Sequence, residues 1–185
     1  MNSQLAQRTN TIRSWKKVAL SDVARITNGG TPKSKVAKYW GGDVQWLTPK
    51  DMGQMDGREI DSTPRTISKE GLAKSSARLV PKHSVILSTR APIGHLAINQ
   101  VPMAFNQGCR GIVPDVKLDH IYLYYFLEAN RRLLNDLGSG TTFKELSATN
   151  LKSIFIPLAP LDEQKRIVAV LDQAFAALDR ARVHA

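Results

Sequence analysis

A lysine-rich loop is the first stretch of the sequence whose residue types could do chemistry. "NGGTPKSKVAKYWGGD", residues 28–43, places lysines between two glycine pairs and includes two adjacent aromatic residues. Bare backbone N–H groups and ammonium groups both bind phosphate oxygens. A nucleotide-binding loop of the Walker type, however, requires Gly directly before Lys, followed by Ser or Thr. Here Pro32 precedes Lys33 and offers no N–H group, so the pattern disfavours a nucleotide site and leaves the lysines to be explained.

The sequence carries no recognisable catalytic set. Its histidines share no metal-ligand spacing, and its one cysteine, Cys109, permits neither a cysteine metal cluster nor an intrachain disulfide. A Gly-x-Ser-x-Gly elbow and a glycine fingerprint for a dinucleotide or S-adenosylmethionine are both missing. Four loop aspartates could imitate a nuclease carboxylate cluster, but loop solubility explains them better: Asp43, Asp51, Asp56 and Asp61. We therefore interpret the chain as a binding protein rather than an enzyme.

Positive charge is concentrated in the first half of the chain. The 185 residues carry a formal net charge of +10. Residues 1–90 hold 16 Lys and Arg against 7 Asp and Glu, whereas residues 91–185 hold 10 against 9. A basic half beside a neutral half indicates a surface that meets a polyanion, although a basic surface can also serve solubility alone. The polar start of the chain and the lack of a run of about 20 apolar residues predict a cytoplasmic protein.

The elements that must position these residues are short strands mixed with helices. Alternating and β-branched residues predict strands within 43–49, 84–90, 95–99, 109–114 and 154–156. Capping residues predict helices that end at Gly29–Gly30, begin after Ser68, span 119–138 and begin after Ser147. Residues 50–68 are rich in Gly, Asp and Pro and are predicted to form a loop. The length leaves room for one domain with an appendage.

The end of the chain has a different pattern. Asp162 and Glu163 suit the first turn of a helix, because carboxylates interact favourably with its positive end. Apolar residues then recur with the spacing of a coiled-coil seam, at Ile167, Leu171, Ala174, Leu178 and Ala181. Phe175 and other apolar residues widen this face. The pattern predicts pairing with another helix or folding back on the chain's own domain, and the wide face is compatible with both.

Loop residues with long or planar polar ends are the candidate contacts with a polyanion. Lysines reach phosphates, Tyr39 can stack or hydrogen-bond at a groove edge, and Arg and Gln pair bidentately with guanine and adenine edges. Threonines beside a lysine suit contacts with a nucleic-acid backbone. Arg90 directly follows an apolar strand, so it could instead be a buried structural arginine. The candidate set is Lys33, Lys35, Lys38, Tyr39, Arg65, Arg90, Gln107, Arg110, Thr141, Thr142 and Lys144.

Six motifs follow one another along the chain from about Trp15 to its end. They are "SWKKVALSDVARITNGGTPKS", "YWGGDVQWLTPKDM", "VILSTRAPIGHLAI", "FNQGCRGIVP", "YLYYFLE" and "GTTFKELSATNLKSIFIPLAPLDEQKRIVAVLD". In this order they resemble the specificity subunits of type I restriction–modification systems. The resemblance implies an α+β target recognition domain over residues 1–160, with short strands and flanking helices. It also implies a long conserved helix of the coiled-coil type over residues 161–185.

The resemblance further implies what the chain works with. A full subunit of that family carries two recognition domains, held apart by two antiparallel helices, and each domain reads half of a split DNA site. Methyl transfer and cleavage belong to modification (methyltransferase) and restriction subunits that dock on it. S-adenosylmethionine, ATP and Mg²⁺ are therefore expected only on those partners. This chain has one recognition domain and one helix, so we expect a homodimer, or pairing with a second specificity half, through Ile167, Leu171, Ala174, Phe175 and Leu178.

Two other interpretations stay open at this point. The chain could be the DNA-recognition tail of a single-chain restriction–methyltransferase, which a catalytic domain encoded upstream in the same reading frame would favour. It could also be a free-standing transcriptional regulator, although no helix-turn-helix is evident in the sequence. A separate neighbouring methyltransferase gene would favour a specificity subunit.

Overall fold

Short strands and helices alternate through residues 15–90, 92–140 and 144–183, which are the residues that this computed structural model describes. The strands are β1 (Lys16–Ala19), β2 (Ala24–Asn28), β3 (Trp40–Leu47), β4 (Glu59–Ile60), β5 (Thr66–Ile67), β6 (Val85–Thr89), β7 (Ile93–Asn99), β8 (Met103–Phe105), β9 (Cys109–Pro114) and β10 (Phe155–Leu158). The α-helices are α1 (Leu20–Val23), α2 (Pro49–Met52), α3 (Lys69–Ala73), α4 (His120–Ala129), α5 (Arg131–Asp136), α6 (Ala148–Lys152) and α7 (Leu161–Val183). A 3₁₀ turn, Ala37–Tyr39, precedes β3. The predicted α+β class with a long final helix is confirmed.

A five-stranded sheet in the order β2-β9-β6-β7-β4 forms the centre of the domain. Within it, β9 pairs antiparallel with both β2 and β6. Side chains of β6 alternate between two apolar clusters, so that Val85 and Leu87 pack with residues of α4 and α5, whereas Ile86 packs with Phe105. Because both faces of the sheet are covered, the inner strands β6 and β7 are buried at nearly every position, rather than at every second position.

Two smaller sheets complete the described domain. The first has the order β5-β3-β8 and buries Trp46, Ile67 and Ala104 in a cluster of its own. The second joins β1 to β10, with Val18 opposite Ile156. This pairing ties the first strand to the segment directly before α7, so the long helix starts from a fixed point on the domain.

The helix at the start of the domain is shorter than predicted. It ends at Val23 rather than at Gly29–Gly30, because Ala24–Asn28 pairs residue by residue with β9. The gain from a complete antiparallel ladder outweighs the local preference for continuing one short helix. Three predicted N-caps are confirmed by side-chain bonds to backbone N–H groups of the first turn: Ser68, Asp119 and Ser147.

Two further predictions of local structure were wrong. The helix predicted over 119–138 is divided at Asn130, whose side-chain amide donates to the Phe126 carbonyl oxygen at 2.7 Å. The predicted loop over 50–68 contains most of α2 and the short strands β4 and β5. The signal for α2 was present, because Thr48 forms a reciprocal capping box with the third residue of the helix.

A buried glutamine attaches the first turn of α7 to the domain. Gln164 has 0% of its surface exposed. Its side-chain oxygen accepts from the backbone N–H of Asp119 at 2.8 Å, next to the start of α4. Its amide nitrogen donates to the carbonyl oxygens of Lys117 and Ala159 at 2.9 and 2.8 Å. Gln164, in the first turn of α7, thus bonds to the segment just before α4, through Lys117 and Asp119. It also bonds to Ala159, just before α7 itself.

A second attachment lies two turns further along α7. Asp172 accepts hydrogen bonds from Arg58 and from the Tyr125 hydroxyl, each at 2.5 Å. The hydrogen bond from Arg58 is the main reason that the pKa of Asp172 lies below its usual value. Burial, helped by the bond to this carboxylate, raises the pKa of Tyr125 to about 12. Phe175 stacks on the Tyr125 ring with centroids 5.6 Å apart, so a charged and an aromatic contact hold the same stretch of helix.

The helix leaves the domain after this attachment. Every residue from Gln173 to Arg182 is exposed. Within the residues that the structure describes, no helix combines the length and the apolar character that crossing a membrane demands. The first four turns of α7 therefore contact the domain along one side, through Gln164, Val168, Asp172 and Phe175, and the rest of the helix projects from it.

Replacing Gln164 by Ala should destabilise the domain. The change removes the partners of one N–H and two carbonyl groups, and each buried group left unsatisfied costs about 1–3 kcal/mol. Urea unfolding should therefore give a free energy of unfolding lower by at least about 1–3 kcal/mol. Gln173→Ala, on the exposed part of the same helix, is the matched control and should stay within about 0.5 kcal/mol of the wild type. Equal effects of the two changes would contradict this role for Gln164.

Candidate nucleic-acid interface

Three strand ends meet at one edge of the central sheet. Because β9 is antiparallel to β2 and β6, its first residues lie beside the last residues of both neighbours. Asn28 is paired with Arg110, and Ser88 is paired with Cys109. The loops that follow β2 and β6 and the loop that precedes β9 are therefore brought together, although they are far apart in sequence.

The glycine pair at the start of the lysine-rich loop is explained by close packing. A Cβ atom at Gly29 would lie 1.9 Å from the carbonyl oxygen of Asn106. The Gly30 N–H donates to the Phe105 carbonyl oxygen at 2.9 Å, and the Gly30 carbonyl oxygen accepts from the indole N–H of Trp46, also at 2.9 Å. These glycines let the loop approach the backbone before β9, so they serve the fold rather than a phosphate cradle.

A side-chain contact joins the lysine-rich loop to the loop before β9. The Thr31 hydroxyl donates to the side-chain oxygen of Gln107, and both side chains are exposed. Gln107 lies two residues before β9, so its amide group stands at the edge where the three strand ends meet. The contact fixes the orientation of an exposed planar amide, which is the group that pairs bidentately with adenine.

Two arginines share one carboxylate at the same edge. Glu145 lies 3.7 Å from a guanidinium nitrogen of Arg90 and 3.4 Å from one of Arg110. Arg110 is only 12% exposed and also donates to the carbonyl oxygens of Gln107 and Cys109, each at 3.2 Å. Its Nε atom is buried and has no hydrogen-bond partner within the described part of the chain. Two guanidinium groups and one carboxylate leave a net positive charge here.

The predicted lysines differ in how far they are neutralised. Lys33 and Lys35 are exposed. Lys38 forms an ion pair with Glu70 at 2.6 Å, and this hydrogen bond raises the pKa of Lys38. Lys33 and Lys35 therefore present more available positive charge than Lys38 does.

The remaining predicted residues lie in three situations. Tyr39 is half-buried, and its carbonyl oxygen accepts from the Ser68 N–H at 2.9 Å. Arg65 is exposed and lies over an indole ring, with its guanidinium carbon 4.0 Å from the ring centroid of Trp40. Lys144 is exposed beside Glu145. Thr141 and Thr142 lie outside the described residues.

The structure brings Arg90, Gln107 and Arg110 together and adds partners that the sequence did not identify. Glu145 is one of them, since a single glutamate in a polar segment gives no sign of two distant arginines. Trp40 and Trp46 are the others, and their spacing within one strand could have suggested an aromatic surface on that strand. The contact of the predicted residues with DNA stays a prediction.

Metal and thiol chemistry find no support in this part of the molecule. Among the described residues, no group of three His, Cys, Asp or Glu side chains is arranged to hold a metal ion. Burial raises the pKa of the Cys109 thiol to about 12, so the sulfur stays protonated and does not act as a nucleophile at neutral pH. The arrangement is suited instead to binding an extended anion through charge, hydrogen bonds and planar side chains.

Comparison with known proteins relates the chain to DNA specificity subunits. Residues 12–182 match the family model for the type I restriction modification DNA specificity domain. A relative, the type I restriction enzyme MjaIX specificity subunit of Methanocaldococcus jannaschii, is 36% identical over 86% of this chain and 37% of its own length. The EcoR124I/EcoR124II specificity subunit of Escherichia coli is 28% identical over 86% of this chain and 40% of its own length.

A solved structure gives the same relationship. The HsdS subunit from Thermoanaerobacter tengcongensis superposes with a TM-score of 0.71 and 26% sequence identity. The match covers 90% of this chain and 39% of the HsdS chain. The chain therefore spans about two fifths of the length of the relatives it matches.

Replacing Glu145 by Gln should strengthen binding to duplex DNA of any sequence. The change removes the carboxylate that partly neutralises Arg90 and Arg110, so one more positive charge becomes available. If that charge meets a phosphate, the slope of the logarithm of the DNA association constant against the logarithm of the salt concentration should become more negative by about 0.9. The measurement is the affinity for a duplex of arbitrary sequence, determined at a series of salt concentrations.

The control for this change is Asp22→Asn. Asp22 precedes the opposite end of β2, so its neutralisation removes an equal charge away from the candidate interface. It should leave the salt slope close to that of the wild type. Weaker DNA binding by Glu145→Gln would contradict the prediction and would mean that Glu145 is needed to hold the arginines in a binding geometry.

Proposed function

Because the chain belongs to the type I restriction modification DNA specificity family, we propose that it reads one half of a bipartite DNA target for a type I restriction–modification enzyme. The observation that carries the proposal is the edge where β2, β6 and β9 meet. Exposed lysines, a pair of arginines with excess charge and an oriented glutamine lie together there. This combination of cations with planar hydrogen-bonding groups suits a DNA duplex better than a small anion.

The proposed contacts divide into two kinds. Lys33 and Lys35 neutralise phosphates and fix the position of the duplex without reading its sequence. Gln107 reads a base edge. Arg110, which is largely buried and donates to the Gln107 carbonyl oxygen, holds the Gln107 loop in place rather than reaching the bases itself.

In this proposal, catalysis resides on partners. Modification (methyltransferase) subunits would bind S-adenosylmethionine, and the restriction subunit would use ATP and Mg²⁺. The chain would direct both to a site by holding the DNA. The proposal is supported by the family match and by the two curated relatives described above, which are both named specificity subunits.

The exposed side of α7 supplies the proposed contact with a second half. Val170, Ala174, Ala177, Leu178 and Ala181 form an apolar stripe, and Val170 and Leu178 are 57% and 54% exposed. Ile167 and Leu171, which the sequence placed in the seam, are half-buried. Phe175 stacks on Tyr125. The stripe is thus turned away from the domain, and we expect another such helix to cover it.

Charge removal in the lysine-rich loop tests the DNA-binding function. Lys33→Gln and Lys35→Gln should weaken binding to cognate and scrambled duplexes alike, and each lost phosphate contact should flatten the salt slope by about 0.9. Lys38→Gln should have a smaller effect because Glu70 already neutralises it. The measurement is a salt titration of the complex assembled with its methyltransferase subunits, using a cognate site mapped from its methylation products.

Two comparisons make this test decisive. Lys82→Gln removes an equal charge just before the opposite end of β6 and should leave the salt slope unchanged. Gln107→Ala should weaken only cognate binding, by about 1–3 kcal/mol. The proposed division between phosphate contacts and base contacts would be contradicted if the lysine variants lost only cognate binding. It would also be contradicted if Gln107→Ala weakened binding to both duplexes equally. A wild-type complex without preference for the cognate duplex would contradict the function itself.

Self-association through α7 is the second prediction of this proposal. Leaving the stripe in water costs about 25 cal/mol per Å² of apolar surface, and two-fold pairing would cover it on both copies. Light scattering at high micromolar concentration should show a dimer for the wild type and a monomer for Leu178→Asp. Ala169→Asp, nine residues earlier and on the opposite side of the helix, is the control and should remain dimeric. A monomeric wild type would overturn the prediction.

A further inference from the structure

Arg65 is held against two tryptophans at the margin of the candidate interface. Its guanidinium carbon lies 4.0 Å from the ring centroid of Trp40 and 5.2 Å from that of Trp46. The two indoles pack edge to face, with centroids 5.1 Å apart. An exposed arginine normally samples many rotamers, whereas stacking on an aromatic face restricts it to a few.

The lysine-rich loop fixes this aromatic platform. Trp46 is only 3% exposed, and its indole N–H donates to the Gly30 carbonyl oxygen at 2.9 Å. The Trp40 N–H donates to the Lys33 carbonyl oxygen at 3.3 Å. Both indoles are therefore bonded to the loop that carries the proposed phosphate contacts, and Arg65 stands directly beside that loop.

The backbone that carries Arg65 is fixed from the other side. The backbone N–H of Thr63 donates to the side-chain oxygen of Gln45 at 2.7 Å, and the backbone N–H of Trp46 donates to the Thr63 hydroxyl at 3.0 Å. The same hydroxyl lies 2.8 Å from the Arg65 carbonyl oxygen. Thr66, the next residue, pairs with Gln45 in the sheet. Main chain and side chain of Arg65 are thus both positioned before any ligand arrives.

Stacking occupies the face of the guanidinium and leaves its N–H edges available. Within the described residues, Arg65 forms no ion pair, whereas the other arginines near this surface share Glu145. A planar fork of N–H donors with fixed orientation matches two acceptors side by side in one plane. The O6 and N7 atoms of guanine present that pattern in the major groove.

We propose that Arg65 reads a guanine in the target half-site through the O6 and N7 edge, and that Trp40 and Trp46 are positioning residues that orient its guanidinium group. This inference rests on the proposed DNA-recognition function. Preorganisation lowers the entropy lost when the hydrogen bonds form, so the platform contributes to discrimination without contacting the base. A lysine at this position keeps the charge but has no planar fork, so it does not replace the arginine.

The test compares Arg65→Lys and Arg65→Ala in the assembled complex on cognate and scrambled duplexes. Arg65→Lys should lower cognate affinity by about 5- to 150-fold while leaving affinity for the scrambled duplex and the salt slope unchanged. Arg78→Lys is the matched control and should keep cognate affinity, because the Arg78 side chain bonds to the nearby carbonyl oxygens of Ser75 and Ala77 and to no other partner in the described part of the chain. Trp40→Leu should lose part of the cognate affinity and Trp40→Phe should restore most of it, at an unchanged unfolding midpoint.

A modified base identifies the contact. 7-Deazaguanine lacks the N7 acceptor, so at one guanine of the half-site it should weaken the wild type but have no further effect on Arg65→Ala. Equal loss on cognate and scrambled duplexes with a flatter salt slope would show a phosphate contact and overturn the proposal. The proposal would also be overturned if Arg65→Lys kept the cognate affinity of the wild type. The same holds if the losses caused by 7-deazaguanine and by Arg65→Ala were additive at every guanine. If the wild type itself does not prefer the cognate duplex, the proposed function fails, and that result is distinct from all of these.

Discussion

The position of β9 between β2 and β6 is the constraint on which the rest of this surface depends. Two antiparallel partners place the start of β9 beside the ends of both neighbours, so loops distant in sequence meet at one edge. The register is strongly specified, because a slip of one residue would turn Ile112 away from the cluster that it shares with Leu87 and onto the opposite face of the sheet. The glycine contacts with Asn106 and Phe105 then set the distance between the lysine-rich loop and the loop of Gln107. The orientation of the candidate contacts thus follows from strand pairing and backbone packing, not from the contacts themselves.

Carboxylates decide which cations at this surface remain available. Glu70 neutralises Lys38, and Glu145 is shared by two arginines, whereas Lys33, Lys35 and Arg65 have no such partner in the described residues. Exposed ion pairs contribute only about 0–1 kcal/mol to stability, so their main consequence here is the pattern of charge. Because charges are screened beyond about 8 Å at physiological salt, this local pattern matters more for DNA than the net charge of +10.

Short-range signals in the sequence predicted more of the fold than of the site. The caps at Ser68, Asp119 and Ser147 depend on residues within one turn, and they were predicted correctly. The glycine pair at 29–30 was predicted to end a helix, but it is explained by close packing against the backbone of Asn106, which local sequence does not reveal. Glu145 was missed for the same reason, since its partners are Arg90 and Arg110. Family resemblance supplied the class of ligand, whereas the positioning role proposed for Arg110 required the tertiary contacts.

The two sides of α7 explain why its sequence suggested both a seam and a helix packed on its own domain. Gln164, Val168, Asp172 and Phe175 recur at helical spacing and face the domain, through buried hydrogen bonds, core packing, an ion pair and ring stacking. The stripe beginning at Val170 lies on another side and is mostly alanine, with Leu178 as its largest member. Small side chains let two helix backbones approach closely, so a partner helix could lie flat along this stripe. Since the domain-facing contacts fix the direction in which α7 leaves the domain, they also fix where such a partner stands relative to the edge formed by β2, β6 and β9. The distance between two recognition surfaces in a paired assembly would then be set by rigid packing rather than by a flexible linker.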